Sequence, residues 1–219
     1  MNFSNARTTD AAIEPVTAEE VDTFLRGDGE LAGAESDFID SLITSARMYI
    51  EDHTRRALIT QEWTMTLDTW PSKAGSLGWW DGVREGAISQ ASSRSVELPM
   101  APLLSVTSIS TFDQNNEETV FDASNYYLDT LATPGQLILN DGTVWPTFTR
   151  TRNGIKIVYQ CGYGANVTDV PAPLRTAVKM LASHWYENRE FVKTQSDQNQ
   201  APSPIHVQSI INRYKVMKL

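Results

Sequence analysis

The chain has 219 residues, 41% of them hydrophobic, a single cysteine and a formal charge of −9. That length can bury a substantial core, as one domain or two small ones, while Cys161 alone excludes an internal disulfide and a cysteine metal cluster. The acidic balance argues against adhesive binding to nucleic acid, which needs a basic patch able to displace counterions from phosphates.

No apolar run approaches the ~18 residues of a membrane span, and residues 1–10 lack the apolar core of a signal peptide. A protein that stays in the compartment of its synthesis, with no membrane partner, is expected. Its charge is uneven: residues 1–40 hold ten acids against Arg7 and Arg26, whereas residues 198–219 hold no acid and carry Arg213, Lys215 and Lys218. Different neighbours for the two ends are one reading; a solvated acidic face that aids solubility is the other.

Residues 1–16 are polar and unpatterned, and read as an N-terminal arm. Thr17-Ala18-Glu19-Glu20 then fits a capping box, with Val16 and Val21 placed as a hydrophobic staple. This first helix should end near Arg26, because Gly27 and Gly29 follow. A second helix begins at Ser36, with Asp37 near its positive end and Phe38, Ile39, Leu42, Ile43, Ala46, Tyr49 and Ile50 at helical spacing.

Past Ile59 the period changes from helix to strand: Trp63, Met65 and Leu67 alternate with polar residues. Residues 70–94 show no periodicity and read as a long loop, of the kind that is functional or mobile. Further strands are predicted at residues 95–98, 106–112, 119–121, 126–128 and 136–140, with a hairpin turn at Asp113 to Glu118. Ile155, Ile157 and Tyr159 alternate as a strand with one buried face. Gly162-Tyr163-Gly164 breaks it, Pro171 and Pro173 mark a boundary, and Leu174, Val178, Leu181 and Trp185 recur as a core helix.

After residue 191 a polar linker leads to Ile205, Val207, Ile210, Ile211, Tyr214, Val216, Met217 and Leu219, an apolar segment that needs something to bury it. The class is α+β: a small helical bundle (residues 17–59, continued by 172–192), an inserted antiparallel β domain (60–165), and a linker with an extended C-terminal arm (193–219).

Chemistry is sparse. His53, His184 and His206 show no metal spacing, there is no nucleophile elbow, and Gly162-Tyr163-Gly164 is too short to cradle a phosphate. Asp113, Asn115 and Glu117 lack the glycine and final glutamate of a calcium loop, so a hairpin turn explains them. No catalytic residue, metal or cofactor is expected. A hydrolase would require Ser183, His184, Asp169 and Glu187 to cluster, although adjacent residues on a helix do not face each other. Trp79 and Trp80 could form a partner-contact loop, and a carbohydrate- or surface-binding module using them is the alternative reading.

The order of several pieces resembles the head-tail connector (head-completion, or adaptor) proteins of tailed bacteriophages and gene transfer agents. They are the helix of residues 36–52 running into Glu51-Asp52-His53-Thr54-Arg55-Arg56-Ala57-Leu58-Ile59, then Gln61-Glu62-Trp63, Leu98-Pro99, and Pro102-Leu103-Leu104-Ser105-Val106. Tyr126-Tyr127-Leu128-Asp129, Trp145-Pro146, Gly162-Tyr163-Gly164, Val170-Pro171, Trp185-Tyr186-Glu187-Asn188-Arg189-Glu190 and Ile210-Ile211-Asn212-Arg213-Tyr214-Lys215-Val216 complete the set.

The resemblance implies a non-enzymatic ring of this chain, twelve copies, in the virion neck below the portal, made in the host bacterial cytoplasm. It implies three partners besides itself: the portal protein, a stopper or tail terminator, and double-stranded DNA that passes through without specific binding. It also places the portal-binding arm at Ile205, Val207, Ile210, Ile211, Arg213, Tyr214, Lys215, Val216 and Leu219. Many weak arms on a closed ring would act together, and an acidic surface suits a DNA conduit.

Overall fold

The computed structural model describes residues 3–25, 33, 35–70, 94–188 and 204–216. The chain divides into two compact units, one of Met1–Asp10 with Gln61–Cys161 and one of Ala11–Thr60 with Gly162–Leu219.

The first unit is built mainly from strands. In chain order it holds β1 (Phe3–Thr9), β2 (Gln61–Leu67), β3 (Ser95–Glu97), β4 (Leu103–Phe112), β5 (Glu118–Val120), β6 (Tyr126–Asp129), β7 (Gln136–Leu139) and β8 (Ile155–Cys161). A five-stranded antiparallel sheet runs β1-β2-β8-β4-β5, and a three-stranded one runs β3-β7-β6. The alternation of Ile155, Ile157, Tyr159 and Cys161 puts all four side chains in the core, with Met65 and Leu67 of β2 and Ile109 of β4 also buried.

The predicted N-terminal arm is instead an edge strand: Phe3 opposes Leu67 and Arg7 opposes Trp63. Its sequence, Phe-Ser-Asn-Ala-Arg-Thr-Thr, is largely exposed and has no apolar alternation. Main-chain pairing holds it together with side-chain bonds that include Thr8 Oγ1 to Thr64 Oγ1 at 2.6 Å and the Tyr159 hydroxyl donating to Asn5 Oδ1 at 3.1 Å.

The hairpin between β4 and β5 forms as expected, with Asp113 Oδ1 accepting the Asn115 and Glu117 amides at 2.8 Å each. Across this edge the Lys156 ammonium, 2.6 Å from Glu118, holds that carboxyl below its usual range. Trp70, at the near end of the long segment 71–93, stacks on Trp145 (4.2 Å, 8°) and donates Nε1–H to the Pro146 carbonyl. Trp145-Pro146 is therefore a structural clamp within the strand unit.

Burial pushes the Tyr159 phenol well above the usual tyrosine range. An unfolded tyrosine ionises near pH ~10, so above that pH unfolding releases a proton that the folded unit retains, and stability falls as pH rises. Urea midpoints of the wild type should drop steeply above about pH 10, and Tyr159→Phe should flatten that slope. An unchanged slope would show that the phenol does not govern alkaline unfolding.

The second unit is helical. It holds α1 (Ala18–Phe24), α2 (Ser36–Thr54), α3 (Ala172–Glu187) and α4 (Ile205–Tyr214). Thr17 caps α1, its side chain accepting the Glu20 amide at 3.2 Å, and Val16 and Val21 are both buried as a staple requires. Ile39, Ile43 and Ile50 of α2 meet Leu174, Val178 and Leu181 of α3 in one core. Val207 and Ile211 of α4 belong to that same core.

Gly162 and Gly164 form the turn that leads into α3. Gly162 has φ +141, and a Cβ there would lie 2.6 Å from the Ile59 carbonyl oxygen. A Cβ on Gly164 would overlap the Asp169 carboxylate. The turn closes through Thr60 N–H to the Gly164 carbonyl at 3.0 Å. Gly162 is required for close backbone approach, and Gly164 for room against the Asp169 side chain. Among the described residues no helix is long and apolar enough to cross a membrane.

Candidate functional site at the C-terminal segment

Pro204 precedes α4, and its carbonyl accepts the Gln208 amide at 3.1 Å. Val207 and Ile211, four residues apart, face inward and are 0% and 2% exposed. His206, Gln208, Ser209, Asn212 and Arg213 face solvent, Ile210 and Tyr214 are half-buried, and Ile205 is 79% exposed. Beyond the helix the chain extends through Lys215, and the buried Val216 donates its amide to the Thr54 carbonyl at 2.9 Å.

Arg56 holds this segment from the other side, Nε–H donating to the Tyr214 carbonyl at 2.7 Å and Nη1–H to the Tyr163 hydroxyl at 3.4 Å. Burial raises the Tyr163 phenol, and the Arg56 guanidinium opposes that rise. The apolar segment thus has a burial partner within its own chain, which corrects the expectation of an arm that must find one elsewhere. Of its predicted contact residues, Val207, Ile211 and Val216 are in the core; Ile205, Arg213 and Lys215 are on the surface. Leu219, like Trp79 and Trp80 and the linker from residue 193 to 203, lies outside the described residues.

The turn that receives the segment is set by a buried ionic network. Arg47, 1% exposed, donates Nε–H and Nη2–H to the Glu14 carboxylate at 2.8 and 3.2 Å, and Nη1–H to Glu51 Oε2 at 3.0 Å. Glu51, 2% exposed, uses its other oxygen to accept the Leu58 amide at 2.8 Å, and Thr44 adds a bond to Glu14. Every strong acceptor here has a donor, which a buried charge requires. α2 then ends at Arg55 in the left-handed region (φ 56), its amide bonded to the Glu51 carbonyl at 2.7 Å.

This network escapes a reading based on apolar periodicity, although a signal exists: Arg47 and Glu51 fall on the stripe otherwise formed by Ile39, Ile43, Ala46 and Ile50. A charge on a buried stripe needs a partner, and i, i+4 spacing supplies one. Glu14, distant in sequence, could not have been paired locally. It also shows that the acidic front is not uniformly a solvated face: Glu14 neutralises Arg47, Glu20 meets Lys179 at 3.3 Å and Glu35 accepts the Tyr186 hydroxyl at 2.9 Å.

The four residues that a hydrolase would need are not joined to one another by hydrogen bonds among the described residues. Asp169 bonds the Asn166 amide at 3.0 Å, His184 Nδ1 lies 3.2 Å from Asn188 Nδ2, and the Ser183 hydroxyl is buried without a hydrogen-bond partner among the described residues. Ser183, His184 and Glu187 do line a cavity of about 340 Å³ with Phe24, Leu25, Met180 and Pro204, but no acid–base relay is set up in it. His53 stacks on Tyr49 and bonds its carbonyl, and among the described residues no group of His, Cys, Asp and Glu could hold a metal ion.

Residues 146–215, spanning β8, the glycine turn, α3 and α4, match the family described as phage gp6-like head-tail connector protein. Over that segment the sequence is similar to the connector class, in line with the resemblance read from its motifs. The whole fold is similar to that of solved particle components: a chain in the neck of an empty GTA particle computed with C6 symmetry (23% identity, TM-score 0.72, covering 99% of this chain and 97% of the other) and one in the virion of a native gene transfer agent (GTA) particle (23%, 0.74, 98% and 96%). A third, in the neck of a native GTA particle computed with C12 symmetry, is 21% identical with a TM-score of 0.64 and 97% coverage of both chains. No curated protein matches the chain.

Proposed function

We propose that this chain is a structural, non-enzymatic component of a virion neck. Twelve copies form a ring between the portal and the tail, complete the head, and leave a conduit through which double-stranded DNA passes without specific binding. The next neck or tail protein sits below. The observation that carries this reading is the end-to-end similarity of fold to chains of GTA particles, two of them in necks computed with C6 and C12 symmetry. The connector match over residues 146–215 supports it independently, and a net charge of −9 suits a wall that DNA must not adhere to.

The portal contact falls on the exposed part of the C-terminal segment, centred on Ile205. The buried Val207, Ile211 and Val216 support it by holding α4 in place. Electron microscopy of the purified chain mixed with the portal ring of the same particle tests both statements. A ring of added density below the portal is expected, and Ile205→Asp should reduce its occupancy with an unchanged circular dichroism spectrum. Absence of added density with the wild type would overturn the assignment to the neck; full occupancy with the variant would remove Ile205 from the contact.

A further inference from the structure

The helical unit is electrically polar along α2, and we infer from this that neighbouring copies in the proposed ring dock head to tail, the basic corner of one against the acidic end of the next. The inference rests on the ring reading and specifies its interface.

The basic corner is assembled from two parts of the chain. Val216 N–H to the Thr54 carbonyl and Arg56 Nε–H to the Tyr214 carbonyl bring residues 54–56 alongside residues 214–216. Arg55 and Lys215 each lie between those two anchor points, and Arg213 comes one residue earlier. All three are exposed, and none makes an ion pair among the described residues. Of the nearby acids, Glu51 is buried and taken by Arg47, leaving Asp52 as the exposed carboxylate on the last turn of α2. Arg213 and Lys215 therefore group with Arg55 rather than with the apolar Ile205 at the other end of α4.

The opposite end of α2 has complementary chemistry. Asp37 and Asp40, one turn apart, are exposed on its first turns, and Phe38, next to Asp37, is 39% exposed with its ring 6.2 Å from that of Tyr186. Tyr186 is in turn bonded to Glu35 and followed by the exposed Glu187. An end that carries carboxylates and an exposed aromatic ring accepts guanidinium and ammonium groups through both ion pairing and the ring face. α2 has 19 residues, so the two ends are about 28 Å apart at ~1.5 Å per residue, several times the ~8 Å screening length at physiological salt. The charges of one copy cannot satisfy each other across that span. A heterologous contact that repeats around a closed ring satisfies both ends of every copy.

Charge swapping tests this on the full-length chain, alone and with the portal ring, by mass photometry and electron microscopy. One variant makes the basic corner acidic (Arg213→Glu with Lys215→Glu), and the other makes the acidic end basic (Asp37→Lys with Asp40→Lys). All four positions are exposed, and circular dichroism checks that each variant is folded. Each alone should need about tenfold or more higher concentration to assemble. Mixed in equal amounts they should recover rings of even number in which the two alternate, and assembly of the wild type should weaken with salt.

Folded variants that assemble like the wild type, or a mixture that recovers nothing, would overturn the pairing while leaving the ring reading intact. A wild type that forms no ring with or without the portal would overturn the ring reading itself, and the pairing with it. Retention of double-stranded DNA that is lost in the Arg213→Glu, Lys215→Glu variant, with rings unaffected, would reassign the basic corner to DNA and overturn the proposal.

Discussion

Arg47→Met should destabilise the helical unit by about 3–5 kcal/mol, the range for breaking a buried ion pair by removing one partner. The side chain is 1% exposed and joins two carboxylates, so its loss strands charge that water cannot reach. Glu51 suffers most, because it is 2% exposed and would lose the guanidinium that balances its charge. Glu14 suffers less: its side chain is 27% exposed and can recover hydration. Adding Glu51→Gln to Arg47→Met should restore much of the loss, since it removes the uncompensated charge and keeps an acceptor for Leu58. Hydrogen exchange of the α2 and α3 amides, read by mass spectrometry, reports the helical unit directly. A loss under ~1 kcal/mol for Arg47→Met would mean that the network is hydrated and worth no more than a surface pair.

The second large effect separates two roles along α4. Ile211→Ala should cost about 2–5 kcal/mol as a buried large-to-small change, and Val207→Asp should cost more by placing a charge in the same core. Ile205→Ala, at a position 79% exposed, should change stability by no more than ~0.5 kcal/mol. Deleting residues 205–219 would remove the buried positions together and open the core between α2 and α3. A truncated chain that fails to join a portal ring would therefore have lost its fold as well as its contact, and surface variants are the cleaner probe. If urea unfolding of Ile211→Ala matched the wild type, the helix would not be a permanent part of the unit.

Several features were legible because they are local. The apolar stripes of α2 and α3, the alternation of β8, the Thr17 cap with its Val16 and Val21 staple, and the Asp113 turn all depend on residues within a few positions of one another. The motif order was enough to indicate the connector class, which the match over residues 146–215 supports.

What the sequence alone determined, then, is the alternation of helical and strand segments and the glycines that the turn at Gly162 demands. Tertiary structure decided the rest. β1 became a strand although its own residues do not alternate, because an edge strand is held by main-chain bonds to β2 that composition does not announce. Arg47 was placed inside with Glu14, more than thirty residues away, as a partner, and Glu51 with Arg47 and the Leu58 amide as donors to it. The C-terminal segment needed no external cover because the groove between α2 and α3 was open to Val207 and Ile211. In each case the deciding partner is remote in sequence, and burial or pairing depends on what lies opposite rather than on what lies next.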